Sequence, residues 1–355
     1  MKQDFRLALA ALSAFVTASF AVNALATAQR TFVASTGVDT NTCSITSPCR
    51  GFAAAVAQTT SGGEVIVLDS AGYGPVSITK SISLIAPVGV YAGVTVFAGD
   101  GITIDVPGII VMLRGLSIAG QGGVNGINLL QTARLRIENC VISNMSGDGI
   151  LHSAQGAELV VVDTTFRDNQ GNGLDILGDG SVVLDHVRSE RNTFDGFALN
   201  PLFAEVHVSI TNSTFASNGR HGINIGTGPS IAVPRVVIDR SEIVHNHDHG
   251  LLQNSTTADS FVGLTRTTIH TNGNYGARVH SLGYLAILTI AENTMTENNR
   301  SISADGIGAT VFASANSITS SNPGMERING ATFNSFGNNI GSFNTFGGIN
   351  QLTGQ

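Results

Sequence analysis

Residues 159–176, LVVVDTTFRDNQGNGLDI, read apolar-x-apolar-x-polar-x-x-apolar-x-x-Asn-x-x-x-Gly-apolar-x-apolar, and residues 208–225, VSITNSTFASNGRHGINI, repeat that order throughout. Further copies begin at Val182, Val236, Val262 and Leu288, with Ser301 in place of the glycine in the last. The copy at Leu135 is one residue short between Asn139 and Asn144. Successive starts differ by 23 to 28 residues. Alternation in apolar-x-apolar puts alternate side chains on one face of a strand. About 25 residues accommodate three short strands with their turns, which is one coil of a solenoid. Coils pairing in parallel at ~4.8 Å stack equivalent residues into columns.

Apolar columns then fill a dry interior. The recurring Asn144, Asn169, Asn192, Asn218, Asn246, Asn272 and Asn298 are expected to form one amide ladder at a turn. The recurring glycine marks unusual backbone angles or a close approach. Asparagine usage agrees: none falls between Thr42 and Val124, and 26 follow from Asn125 onward. The longer spacing at Gly226–Pro234 predicts an outward loop.

These units, such as Asn139-Cys140-Val141-Ile142-Ser143-Asn144 with Gly149-Ile150, resemble the parallel β-helix repeat of the pectate-lyase-like superfamily, over roughly Val94–Asn322. The resemblance implies an all-β, right-handed single-stranded parallel β-helix, and it is unspecific for activity. Leucine-rich repeats share the length but need a Leu/Asn consensus and a helix per unit, neither of which is present, and an immunoglobulin-like array is antiparallel with no fixed Asn column.

Outside the repeats, residues 1–28 read as a signal peptide: Lys2 and Arg6, an uncharged run Leu7–Val22, then small-x-small sites before Gln29. That run of 16 is short for a ~30 Å hydrocarbon core, so an exported chain with no transmembrane segment is expected. Residues 29–64 are assigned to a first strand, a cysteine loop and a short capping α-helix, 65–322 to the β-helix, and 323–355 to a C-terminal cap or tail. Ser47 and Pro48 fit the helix start, Phe52, Ala55, Val56 and Thr59 its apolar face, and Gly62-Gly63 its end. Phe333, Phe336, Phe343 and Phe346 are expected to plug the last coil. Cys43 and Cys49, six apart in a turn-rich loop, are expected to form a disulfide, leaving Cys140 as a small buried hydrophobe.

Without residues 1–28 the chain carries 16 basic and 24 acidic residues, a net charge of −8, with Lys80 its one lysine. With no basic run, nucleic acid and anionic lipid are excluded as partners, and a monomer is expected. The outward columns are Asn128, Leu151, Asp175, Ala198, Asn224, Leu252, Arg278, Ser303, and, on another face, Arg136, Val160, Val183, Ser209, Val237, Gly263, Thr289 beside Glu138, Val162, Asp185, Thr211, Asp239, Thr265, Ala291. Pectate lyases require clustered carboxylates for calcium and an arginine base, and polygalacturonases three neighbouring aspartates; neither arrangement is found.

Asp185 and Asp239, two coils and ~9.6 Å apart, are the catalytic candidates, at the far edge of the ~6.5–9.5 Å range of inverting glycosidases. In the column Asn125, Asp148, Asn172, Asp195, His221, His249, Tyr275, two histidines fall on adjacent coils. His221, His247 and His249 are the candidate ligands for zinc or another divalent ion. A binding, structural or adhesive surface protein with a carbohydrate polymer or cell-surface glycan as ligand is the first reading. A polysaccharide lyase, hydrolase or epimerase is the second, weakened by the absence of tryptophan.

Overall fold

A computed structural model describes residues 28–229 and 231–352; apart from Ala28, the expected signal peptide lies outside them. The chain winds through about 11 turns of a right-handed parallel β-solenoid. Each coil gives one strand to a ladder running from Ala28–Val33 through Leu84, Leu113 and Ile137 to Asn350–Gln351, and two shorter strands to the other faces. Every strand pairing is parallel. The register is the one the repeat implies: Leu135, Leu159, Val182, Val208, Val236, Val262 and Leu288 are paired coil to coil. All are buried, as are Phe166, Phe197 and Phe215 on the facing strands. β-branched and aromatic residues at every second position suit this pleated, half-buried surface.

The corners have two causes that the repeat only hints at. The glycine column does not use positive φ; it is there because the next coil passes too close. A Cβ on Gly173 would lie 2.0 Å from Ser189 Oγ and 2.6 Å from Gly196 O. On Gly222 it would meet Ile243 Cγ2 at 2.5 Å. The left-handed backbone sits one residue before the asparagine, at Asp168, Arg191, Ser217, His245, Thr271 and Glu297, with φ between 53° and 57°. A second such column runs through Asn139, Asp163, His186, Asn212, Arg240 and Arg266. Asn, Asp and His tolerate that region, but Arg, Ser, Thr and Glu rarely enter it, so at Arg191, Ser217, Arg240, Arg266, Thr271 and Glu297 packing overrides local preference.

The amide ladder runs from Asn169 to Asn298, with Nδ2 donating to the next Oδ1 at 2.9 Å from Asn169 to Asn192 and 3.0 Å from Asn272 to Asn298. Asn144 is not in it. Because the copy at Leu135 is a residue short, Met145 takes the ladder place, its N–H donating to Asn169 Oδ1 at 3.1 Å, while Asn144 occupies the left-handed position with φ 58°. A second ladder, unseen in the sequence, lies at the other corner: Ser213, Ser241 and Thr267 hydroxyls give way to Asn293, Asn316 and Asn339.

Cys43 and Cys49 form a disulfide, and Cys140 is free and buried, its thiol pushed up to about 11 by burial. The helix spans Phe52–Gln58, four residues later than Ser47-Pro48 suggests. The disulfide loop holds Ser47, whose N–H donates to Ser44 O, and Asp39 instead takes the N–H groups of Arg50 and Gly51 at 2.8 Å. Phe52, Ala55, Val56 and Thr59 do form its buried face, while Gly62-Gly63 lie in the strand that follows. At the far end only Phe333 of the four phenylalanines is fully interior; Phe336 and Phe346 are exposed. Parallel pairing continues there, with Thr332–Ser335 against Thr310–Ala313. Ile231, in the expected outward loop, stands in solvent.

Candidate functional site

The column before each glycine needs one thing of its side chain: an acceptor that reaches the backbone N–H of the next coil. Aspartate, asparagine and histidine all provide it. Asn125 Oδ1 accepts from Asp148 at 3.1 Å, Asp148 Oδ1 from Asn172 at 2.6 Å, and Asn172 Oδ1 from Asp195 at 3.0 Å. Asp195 Oδ1 accepts from His221 at 3.0 Å, His221 Nδ1 from His249 at 3.2 Å, and His249 Nδ1 from Tyr275 at 3.3 Å. Beside it runs the outward column Asn128, Leu151, Asp175, Ala198, Asn224, Leu252, Arg278, in the expected register. Asn128 Nδ2 donates to Asp100 at 2.7 Å and Asn224 Nδ2 to Asp195 at 2.9 Å. Together the two columns make a polar stripe along one face.

The charge along this stripe changes sign. Asp100, Asp148, Asp175 and Asp195 occupy its first half. Half-buried Asp175 has no hydrogen bond or ion pair among the described residues. Burial, then the Asp148 and Asp195 charges, push its carboxyl up to about 7. Burial also raises Asp148, against the hydrogen bonds of Asn172. In the second half Arg278 and Arg300 lie 5.1 and 5.3 Å from the centre of the Tyr275 ring. The Tyr275 hydroxyl donates to Glu326 at 2.8 Å and accepts from Arg300 at 3.0 Å. Arg278 pairs with Asp305, where Arg278 and Asn329 outweigh burial and hold the carboxyl below its ordinary value.

Between the halves the His221 and His249 rings stack 4.9 Å apart and 14° from parallel. Burial chiefly holds both imidazoles below their ordinary value, His249 at about 4. His221, His249 and Asp248 bring ligand atoms within 4.8 Å of one another, whereas His247 points to solvent outside the group. The Nδ1 atoms are already engaged by backbone amides. Two stacked rings aim their in-plane lone pairs side by side rather than at one point. One ion shared by both therefore requires the rings to turn and the ladder to open at His249 and Tyr275.

Asp185 and Asp239 stand where the repeat puts them, separated by Thr211. Neither is poised as an acid. Hydrogen bonds from Asn212 and Thr211, with His186 beside it, overcome burial at Asp185 and hold it below its ordinary value. Asp239 is held down by Arg266 first, then by Thr265 and Arg240, with both guanidinium contacts at 2.8 Å. The grouping that sequence reasoning missed is Asp148, Asp175 and Asp195. Asp175 belongs to the outward column and its neighbours to the ladder column, so reading each column alone separates them. Reading both sides of Gly173 together would have joined them.

Residues 99–194 match the family model described as a right handed beta helix region. Among solved structures, the pectate lyase Pel9A superposes with a TM-score of 0.55 at 18% identity, over 75% of this chain and 78% of that one. The A-module of the mannuronan C-5 epimerase AlgE4 from Azotobacter vinelandii gives 0.56 at 18%, over 82% and 89%. XylC, solved in complex with xylose, gives 0.55 at 10%, over 84% and 70%. At these identities the likeness is one of fold.

Proposed function

We propose that this right-handed parallel β-helix is an exported protein that binds a carbohydrate polymer lengthwise along its polar stripe. The observation that carries the reading is the pair of adjoining columns from Asn125 to Arg278, which keep carboxylates, amides, imidazoles and guanidinium groups in one line at the coil spacing. A chain of sugar rings offers hydroxyls at similarly regular intervals, and the stripe supplies donors and acceptors to meet them. The solved proteins of like fold include a pectate lyase, a mannuronan epimerase and a protein holding xylose. The Cys43–Cys49 disulfide suits an oxidising compartment, and no helix among the described residues is long and apolar enough to cross a membrane. The test is a glycan array followed by calorimetric titration of the polymers that bind. Asn224→Ala and Arg278→Ala are expected to weaken binding about tenfold each. Unchanged affinity in both variants, or no bound polymer, overturns the reading.

A second reading, polysaccharide processing, is favoured by Asp175, whose carboxyl near neutrality can both give and take a proton. In a lyase, hydrolase and epimerase panel, turnover by the native protein that disappears in Asp175→Asn identifies an enzyme.

A further inference from the structure

Beside the acidic half of the stripe runs a further column, two of whose members are glycines. Val124, Gly147, Gly171, Phe194 and Arg220 follow on successive coils. The Gly147 N–H donates to Val124 O at 2.8 Å, Gly171 to Gly147 at 2.8 Å, Phe194 to Gly171 at 3.2 Å and Arg220 to Phe194 at 3.1 Å. Three coil steps place Val124 and Phe194 ~14 Å apart. Both are exposed, at 46% and 45%. The two glycines between them cannot be replaced freely: a Cβ on Gly171 would lie 2.4 Å from Asp148 Oδ1, and one on Gly147 2.9 Å from Asn125 Oδ1. The ladder thus keeps side chains off a shallow notch with apolar ends, over half-buried Gly147 and buried Gly171, with Asp148 and Asp175 to one side. Arg220 covers the Phe194 ring from the coil above, 5.9 Å from its centre, and the coil below offers only Gly171.

Charge decides what fits. Asp100 and Asp179 are held by N–H donors alone, but several other partly buried carboxylates have cationic partners: Glu138 has Arg114 and Arg136, Asp168 has Arg167 and Arg191, and Asp239 has Arg240 and Arg266. Asp148 and Asp175 have none among the described residues. A carboxylate-bearing sugar would meet repulsion here, and a neutral one would leave the Asp148 charge, and that of Asp175 once it ionises, unmatched, whereas an ammonium group favours the ionised form of both.

We propose that the notch takes a cationic amino-sugar unit of a polysaccharide, with one face of its ring on Phe194 and its ammonium group between Asp148 and Asp175. This rests on the lengthwise carbohydrate reading above and narrows its ligand. The aromatic face packs the C–H face of the ring, and the carboxylates take the ammonium in charge-assisted hydrogen bonds.

The test is calorimetric titration of the full protein with glucosamine oligomers, their N-acetylated counterparts, galacturonate oligomers and xylose oligomers. The glucosamine oligomer is expected to bind at least about tenfold tighter than the others. Phe194→Ala and Asp175→Asn each lower that affinity about tenfold, and Phe194→Trp restores it to within about threefold. Phe194 is on the surface, so its variants should melt as the native protein does. A folded Phe194→Ala of native affinity, or tighter binding of an acetylated or uronate oligomer, overturns the amino-sugar assignment and leaves the lengthwise reading intact. Failure of every oligomer and polymer removes both.

Discussion

Histidines and one aspartate set the pH response in opposite senses. His152, wholly interior, and His249 fall to about 4 because burial disfavours their charged forms. The unfolded chain takes up those protons near 6.5, so the stability they contribute is whole above that pH and is lost as pH falls from 6.5 towards 4. That loss is on the order of 3 kcal/mol for each histidine. Asp175 runs the other way. Folding keeps its proton up to about 7, against an ordinary 3.8, so it costs stability above pH 7 and the cost is relieved on acidification. Asp175→Asn is therefore expected to raise the melting temperature at pH 8 and to lose that gain by pH 4. In that variant the remaining decline between pH 6.5 and 4.5 belongs to the buried histidines, since the lowered carboxylates titrate below this window. Thermal melts across pH 4–8 check both statements. A flat profile in Asp175→Asn would mean that the buried imidazoles are charged in the fold.

At the scale of the elements, ladder membership should matter more than residue type. Asn218 accepts from the Asn192 amide at 3.1 Å and donates to Asn246 at 3.0 Å in a dry corner. Asn218→Ala leaves the Asn192 amide without its acceptor and is expected to cost about 2–3 kcal/mol. Asn144→Ala removes no ladder bond. Its cost should stay within about 1 kcal/mol, for the loss of a residue tolerant of positive φ. Urea melts of the two variants separate these outcomes, and equal costs would contradict the ladder. The same pair shows how far the sequence can be read. Strand register, interior columns and the amide ladder follow from apolar alternation and a fixed Asn-to-Gly spacing, both local in the chain. The one-residue deletion that moves Asn144 out of line shows only as a spacing irregularity. The helix start at Ser47 is overridden by a loop that the disulfide closes and by Asp39 from outside the segment. The acidic group at Asp175 needs two columns read together, and whether its carboxylates lack cations depends on every neighbour's side chain.

The whole molecule is a line of coils in which each touches only the next, so its cooperativity is one-dimensional. Ile210→Asp puts an unpaired charge into a fully buried mid-stack column and should interrupt that line rather than weaken one site. The expected result is failure to accumulate folded protein, read by recovery and circular dichroism. Recovery of folded protein at native yield would mean that the strand faces are reversed. The two ladders are also polar in a directional sense. Asn169, Asn192, Asn218, Asn246 and Asn272 each donate to a side chain of the following coil, Asn218, Asn246 and Asn272 also anchoring to a carbonyl of the preceding one, and the acceptors from Asn125 to His249 all await an amide from the following coil. Every layer is thus completed by its successor, like a crystal face that advances by adding to one side. A chain emerging from its N-terminus presents each finished layer as the template for the next, and the unsatisfied groups at any moment are confined to the growing front.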